Sequence, residues 1–204
     1  MKLLVRQAVP RDALAPLLYA PSPEVYDLYF GGPARALRAL ARMAPRPGHT
    51  ASVEVCLVAG RGGVVDAVLA GFPQREYERR TRRFHSLALR RIPPWRWSGP
   101  WRTARIDALI DLEPPPGCFY VDSLAVAHPL RRRGLARALL EHAEARARRA
   151  GCRTLALDTE QHNRAARALY ESAGMTAQRT VPLPAAAQAA GLSMTAWVAY
   201  AKAL

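Results

Sequence analysis

Lysine is almost missing from this chain: of its 30 basic residues, 28 are arginine, and only Lys2 and Lys202 are lysine. The formal charge of +14, set against 16 acidic residues, is therefore a guanidinium charge. With alanine and proline abundant as well, the skew reads as the coding bias of a GC-rich genome, which weakens net charge as an argument for any one partner. A strong positive field still concentrates anions, whether an anionic cofactor, an acidic substrate or nucleic acid. Cysteine is scarce too. Cys56, Cys118 and Cys152 are odd in number, widely spaced and free of any CxxC pair, which suggests neither a disulfide framework nor a zinc site and fits small buried hydrophobes in a reducing compartment. No metal site is expected. No apolar run approaches the roughly 18 residues needed to span a bilayer, and "MKLLVRQ" meets Arg6 before a signal-peptide core can form. The expectation is a soluble cytoplasmic protein without a membrane partner. The Gly-Lys-Ser/Thr of a P-loop is absent, as are the glycines of a dinucleotide fingerprint.

What is present is enough for one globular domain over residues 1–204, half of them apolar. There is no internal repeat. Residues 2–8 read as a strand, and "PRDALAPLLYA" from Pro10 as a helix with Asp12 in its first turn. A helical pattern over 24–43 is interrupted at Gly31-Gly32-Pro33. "SVEVCLVA" (52–59) and "VVDAVLAGF" (64–72) are β-branched runs around "GRGG", a hairpin signature.

Residues 74–116 form an insertion or lid that holds ten arginines and three of the four tryptophans. "QREYERRTRRFHSLALRR" reads as a helix, "IPPWRWSGPW" as a proline-punctuated turn, and "RTARIDALIDL" is ambiguous. Arginine interleaved with aromatics suits single-stranded nucleic acid; the plainer reading is a solvated helix and a loop whose tryptophans cap the core. After Gly117 the order is strand (118–126), helix (from about Gly134 to Gly151), strand (153–158) and helix (163–174), which implies a crossover between parallel strands. Asn163 fits an N-cap and Gly174 a C-terminal turn. Residues 175–181 and 192–201 read as strands, although the alanines of the latter also suit a helix.

The strand ending at Val126 leads through "AHPLRRRG" into a helix. Its first turn carries unpaired N–H groups and the positive end of the macrodipole, and Gly134 and Ala136 leave the backbone approachable, which outlines a phosphate cradle. Arg131-Arg132-Arg133 would rim it, or form only a solvated surface. The stretches "DSLAVAHPLRRRGLARALL" and "AGCRTLALDTEQHNRAARALYESAGM" together resemble the GNAT superfamily of acetyl-CoA-dependent N-acetyltransferases. The first resembles that family's Arg/Gln-x-x-Gly-x-Gly/Ala motif through Arg131, Gly134 and Ala136. The second resembles its following strand and helix through Asn163, Ala166 and Tyr170. The close match covers residues 120–177, with Ala136 standing where glycine is commoner.

That resemblance implies an α/β (α+β) fold: a central mixed β-sheet of about six to seven strands flanked by helices, with 74–116 inserted before the cofactor-binding strand. It implies acetyl-CoA as co-substrate, an amine acceptor of unknown identity in a small molecule, peptide or protein, and direct transfer in a ternary complex; a homodimer is common among such proteins. The cofactor segment would be Leu124, Ala125 and Val126, whose main chain would pair with the pantetheine arm. The turn residues Arg131, Arg132, Arg133, Gly134, Leu135, Ala136 and Arg137 would hold the phosphates. Leu124 N–H would face the acetyl oxygen, Tyr170 would be general acid, and Asn163 would touch the cofactor or only cap its helix. For a general base, strand alternation puts Tyr120, Asp122, Leu124 and Val126 on one face, which makes Asp122 the first candidate, Tyr120 the second, and Glu54 and Glu160 further ones. The positive net charge favours neutral or acidic amines over polyamines. Two other classes compete: a basic nucleic-acid-binding module built on 74–105, and an acyl-CoA sensor without turnover.

Overall fold

The computed structural model describes residues 4–60, 64–110 and 112–204. Strand β1 (Leu4–Gln7) opens the chain, and the residues before Leu4 lie outside the described part. Helices α1 (Ala15–Tyr19), α2 (Pro23–Phe30) and α3 (Pro33–Met43) follow. The break between α2 and α3 falls at Gly31-Gly32, where φ values of 77° and 114° suit glycine and Pro33 starts the next helix. Asp12 is not in a helical first turn. It precedes α1 and takes both terminal nitrogens of Arg6, at 2.7 and 2.8 Å, together with the Val9 N–H at 2.8 Å. A bidentate, charge-assisted pair holds the carboxylate more strongly than a helix dipole does.

Strands β2 (Cys56–Gly60) and β3 (Ala67–Pro73) pair antiparallel as the hairpin signature requires; most of its turn, 61–63, lies outside the described residues. The inserted segment is more helical than expected, with α4 (Tyr77–Leu89) and α5 (Ser98–Asp107). Its tryptophans do not cap the core: Trp95 is 81% and Trp101 67% exposed, while Ile106 on the other side of α5 is buried. Strand β4 (Cys118–Val126) leads to α6 (Leu135–Arg149), β5 (Thr154–Glu160) and α7 (Arg164–Ser172). The chain closes with β6 (Thr176–Pro182), a short α8 (Ala185–Ala189) that sequence periodicity did not reveal, and β7 (Ala196–Ala203), which is a strand despite its alanines.

Among the described residues the strands form one seven-stranded sheet in the order β1-β2-β3-β4-β5-β7-β6. All neighbours are antiparallel except β4 and β5, the pair joined through α6. One face of α6, with Leu139, Leu140, Ala143 and Ala147, is fully buried against the sheet. Burying each leucine contributes about 1.5–3 kcal/mol, and the alanines let the helix approach closely. On the other face α1, α2, α3 and α4 cover a second cluster built on Leu18, Phe30, Leu40, Met43 and Phe72.

Two irregularities of β4 open the sheet near its centre. Opposite β3 the register runs Ala70 to Ser123 and then Gly71 to Val121, so Asp122 is the extra residue of a bulge. The bulge inverts the alternation expected from the sequence. Tyr120 packs with Phe72 on the α1–α4 face, whereas Leu124 and Val126 pack with the cluster under α6. Toward β5 the pairing stops early, covering only Cys118–Val121 against Thr154–Leu157. Beyond Val121 the two strands part.

Candidate active site

The parting of β4 and β5 leaves main-chain groups of β4 without a ladder partner. The Ala127 N–H donates to the Asp66 carbonyl on the β3 side at 2.8 Å. By alternation the Leu124 and Val126 amides point the other way, into the gap. The gap opens into a cavity of about 780 Å³ between β4, α6 and α7. Leu124, Ala125, Val126, Arg131, Arg132, Gly134, Leu135, Ala136, Arg137, Asn163 and Tyr170 all line it, so the structure brings together every expected cofactor residue except Arg133. Ala20 and Pro21, from the α1–α2 connection, and His128 line it too. Nothing in the sequence marked Ala20 or Pro21, whereas His128 lies inside the quoted motif stretch without having been singled out.

At the start of α6 the backbone is left-handed twice within three residues, at Arg132 (φ 59°) and Gly134 (φ 80°). The arginine holds a conformation that costs a non-glycine residue of order 1 kcal/mol. A Cβ on Gly134 would meet no protein atom within 4 Å. Glycine is therefore needed for its φ, and the space in front of it is free for a ligand. Alternating backbone handedness ahead of a 15-residue helix turns successive N–H groups toward one concavity, the arrangement that binds phosphate oxygens. Arg131 Nε donates to the Val126 carbonyl at 3.3 Å, and Arg137 donates to the Ser172 carbonyl and hydroxyl, at 3.3 and 2.9 Å. These two arginines thus brace the turn to β4 and α7. Asn163 Oδ1 accepts the Ala166 N–H at 3.1 Å and also lines the cavity, so it caps α7 and faces the ligand space together.

Tyr170 stands where two cavities meet. It is 6% exposed, its ring lies 5.7 Å from that of Tyr200, and its hydroxyl has no hydrogen-bond partner among the described residues. Burial pushes its phenol up to about 12, so the proton stays on across the neutral range. Leu124, Asn163, Ala166, Tyr170 and Pro21 also border a second chamber of about 190 Å³, which holds Tyr120, Asp122, Ser123, Asp158, Glu160 and Trp197. Burial raises Asp122 to about 7, with Asp158 adding to the shift, and raises Asp158 to about 6 although the Tyr120 hydroxyl donates to it at 2.9 Å. Burial also raises the Tyr120 phenol well above its ordinary value, so Tyr120 keeps its proton and donates to Asp158. Of the carboxylates considered from sequence, Asp122 and Glu160 enter this chamber. Glu54 does not: it pairs with Arg80 at 2.5 Å and accepts the Gly48 N–H at 2.9 Å. Asp158 was not singled out in the sequence, because only its Tyr120 partner and the strand gap distinguish it.

No group of three or more histidine, cysteine, aspartate or glutamate residues suited to a metal occurs among the described residues, and no described helix is long and apolar enough to cross a membrane.

Residues 55–175 match the family model of the acetyltransferase (GNAT) family. No curated protein matches the chain by sequence. Among solved structures, one described as an acetyltransferase is 20% identical, with 98% of each chain covered and a TM-score of 0.71. An N-acetyltransferase from Staphylococcus aureus Mu50 is 15% identical over 98% of this chain and 100% of its own, with a TM-score of 0.70. A Bacillus subtilis acetyltransferase solved in complex with CoA is 15% identical over 100% and 99%, with a TM-score of 0.54.

Proposed function

This chain belongs to the GNAT acetyltransferase family, and from that premise we propose that it transfers the acetyl group of acetyl-CoA to an amine by direct attack in a ternary complex. The observation that carries the reading is the parted β4–β5 seam, which joins a phosphate-type turn, exposed strand amides and a buried tyrosine in one cavity that opens onto a carboxylate chamber. In this reading the turn from Arg131 to Arg137 holds the pyrophosphate, with Arg133 adding charge outside the cavity. The Leu124–Val126 main chain pairs with the pantetheine arm as an added strand would. The bound cofactor supplies an activated acetyl thioester.

The chain's own groups then divide the work. The Leu124 N–H is aimed at the oxygen on which negative charge develops, and such a preorganised donor contributes about 3–4 kcal/mol where water is excluded. Asp122, with Asp158 behind it, accepts the proton of the acceptor ammonium; the raised pKa puts this base near the working pH. The amine nitrogen forms its bond to the acetyl carbon as the carbon–sulfur bond breaks, and Tyr170 gives its proton to the departing thiolate. The 74–116 segment belongs to the same domain and walls the acceptor side.

The test is calorimetric titration with acetyl-CoA, followed by amine-dependent CoA release across an amine panel. Micromolar binding with CoA release is expected. Binding without release for any amine would favour an acyl-CoA sensor, and no binding would remove the enzyme reading.

A further inference from the structure

The two sides of the gap carry opposite charge. The cofactor cavity is lined by Arg131, Arg132 and Arg137. Among the described residues the chamber beyond Tyr170 is lined by no arginine or lysine, in a chain with 30 of them, and by three carboxylates, Asp122, Asp158 and Glu160. Behind it lies a further pocket of about 200 Å³ that shares Pro21, Ser22, Asp122 and Ser123 with that chamber. Its walls come from α2, α4 and α5: Tyr26, Tyr29, Phe84 and His85, with Asp107 at the exposed edge. Among the described residues it too is lined by no arginine or lysine. His85 is held by the Tyr29 hydroxyl at 2.9 Å, and burial lowers its pKa, so the ring is neutral at pH 8.

Three aromatic rings and a carboxylate, beside a neutral His85 and with no arginine or lysine among the described lining residues, make a pocket that attracts a cation by ring quadrupole and by charge. Its place decides its use, because Asp122 lines both the pocket and the chamber in which the amine reacts. The geometry points to an acceptor that carries two positive groups: one reacts beside Asp122 and Tyr170, while the other, an ammonium or guanidinium, rests against Asp107 and the rings of Tyr26, Tyr29 and Phe84. This rests on the acetyl-transfer reading above and gives the inserted segment a part in it, since α4 and α5 supply Phe84, His85 and Asp107. The net charge of the chain argued for the opposite choice of amine. That total is the wrong quantity, because the arginines lie elsewhere and a bound substrate meets the local lining.

The experiment compares 1,4-diaminobutane with n-butylamine at pH 8, where the second amine is protonated. Acetyl transfer by the wild type should favour the diamine by about tenfold in kcat/KM, mainly through KM. Asp107→Asn should lower that preference several-fold, and Asp107→Glu should restore part of it. Equal use of both amines, or a preference untouched by Asp107→Asn, overturns the second cation site and leaves acetyl transfer standing. Calorimetric binding of the same two amines to the CoA-saturated protein gives a readout without turnover. Diamine selectivity that depends on Asp107 in the absence of any acetyl transfer would uphold the site and refute the proposed reaction. Equal affinity for the two amines there overturns the site.

Discussion

Replacing Gly71 with alanine tests the bulge on which the acceptor side depends. Gly71 lies on β3 opposite the point where Asp122 is squeezed out of register. A Cβ built there falls 2.6 Å from Phe119 Cε1, 3.1 Å from the Tyr120 carbonyl oxygen and 3.3 Å from Leu69 Cδ2. Phe119 and Leu69 are both 1% exposed, and the Tyr120 oxygen is main chain, so nothing nearby swings away freely. Restoring ordinary contact requires a displacement of about 1 Å at the Phe119 ring or between the strands. Overpacking of this kind costs about 1–3 kcal/mol. For a chain of this size each kcal/mol lowers Tm by about 2–4 °C, so a fall of roughly 3–10 °C is expected by calorimetry or circular dichroism. The displaced strand carries Tyr120 and Asp122, whereas the α6 turn lies beyond the far end of β4. KM for the acceptor should therefore rise several-fold more than Kd for acetyl-CoA. A Tm within 1 °C of wild type would refute the packing argument, and parallel losses in both ligands would refute its confinement to the acceptor side.

Other substitutions separate the assigned roles. Tyr170→Phe removes a hydroxyl that bonds to no described residue, so Tm and acetyl-CoA affinity should hold while kcat falls by about 10²–10⁴, the range for a positioned acid; stopped kinetics with intact binding is the expected signature. Gly134→Asp puts a side chain and a negative charge into the phosphate space at φ 80° and should abolish acetyl-CoA binding in titration while far-UV circular dichroism is unchanged. The base must be ionised to act, so kcat/KM should rise with pH through an apparent pKa near 7, the value to which burial lifts Asp122. Because Asp158 couples to it, that limb belongs to the pair. Asp122→Asn should lower the rate and erase the limb, and a limb that survives the substitution would move the base elsewhere.

How much of this the sequence shows depends on how local the cause is. The bounds of β4 and the caps of α7 were legible, because a β-branched and aromatic run, Asn163 and Gly174 act within a few residues of where they stand. The left-handed turn into α6 was legible for the same reason, with Gly134 and the start of α6 adjacent in the chain. The acceptor side was not. Its bulge depends on Gly71 packing against Phe119 from another strand, and a bulge shifts side chains to the opposite face without leaving a pattern in its own strand. Likewise Asp107 and Asp122 share a pocket only because α5 folds over α2. The ambiguity of 102–112 resolved into helix for most of its length through Ile106, whose burial in a small cluster with Leu183, Leu192 and Met194 is a long-range contact.

The early end of the β4–β5 ladder bears on how the chain holds together. Strands β1 to β4 form one half-sheet and β5 to β7 another, and four residue pairs are all that stitch their edges in register. In the proposed reading a cofactor arm along Leu124 and Val126 supplies rungs that the polypeptide leaves out. The cofactor then acts as a splice across the sheet, so the amides of β4 and β5 next to the seam should be where hydrogen exchange slows most on binding.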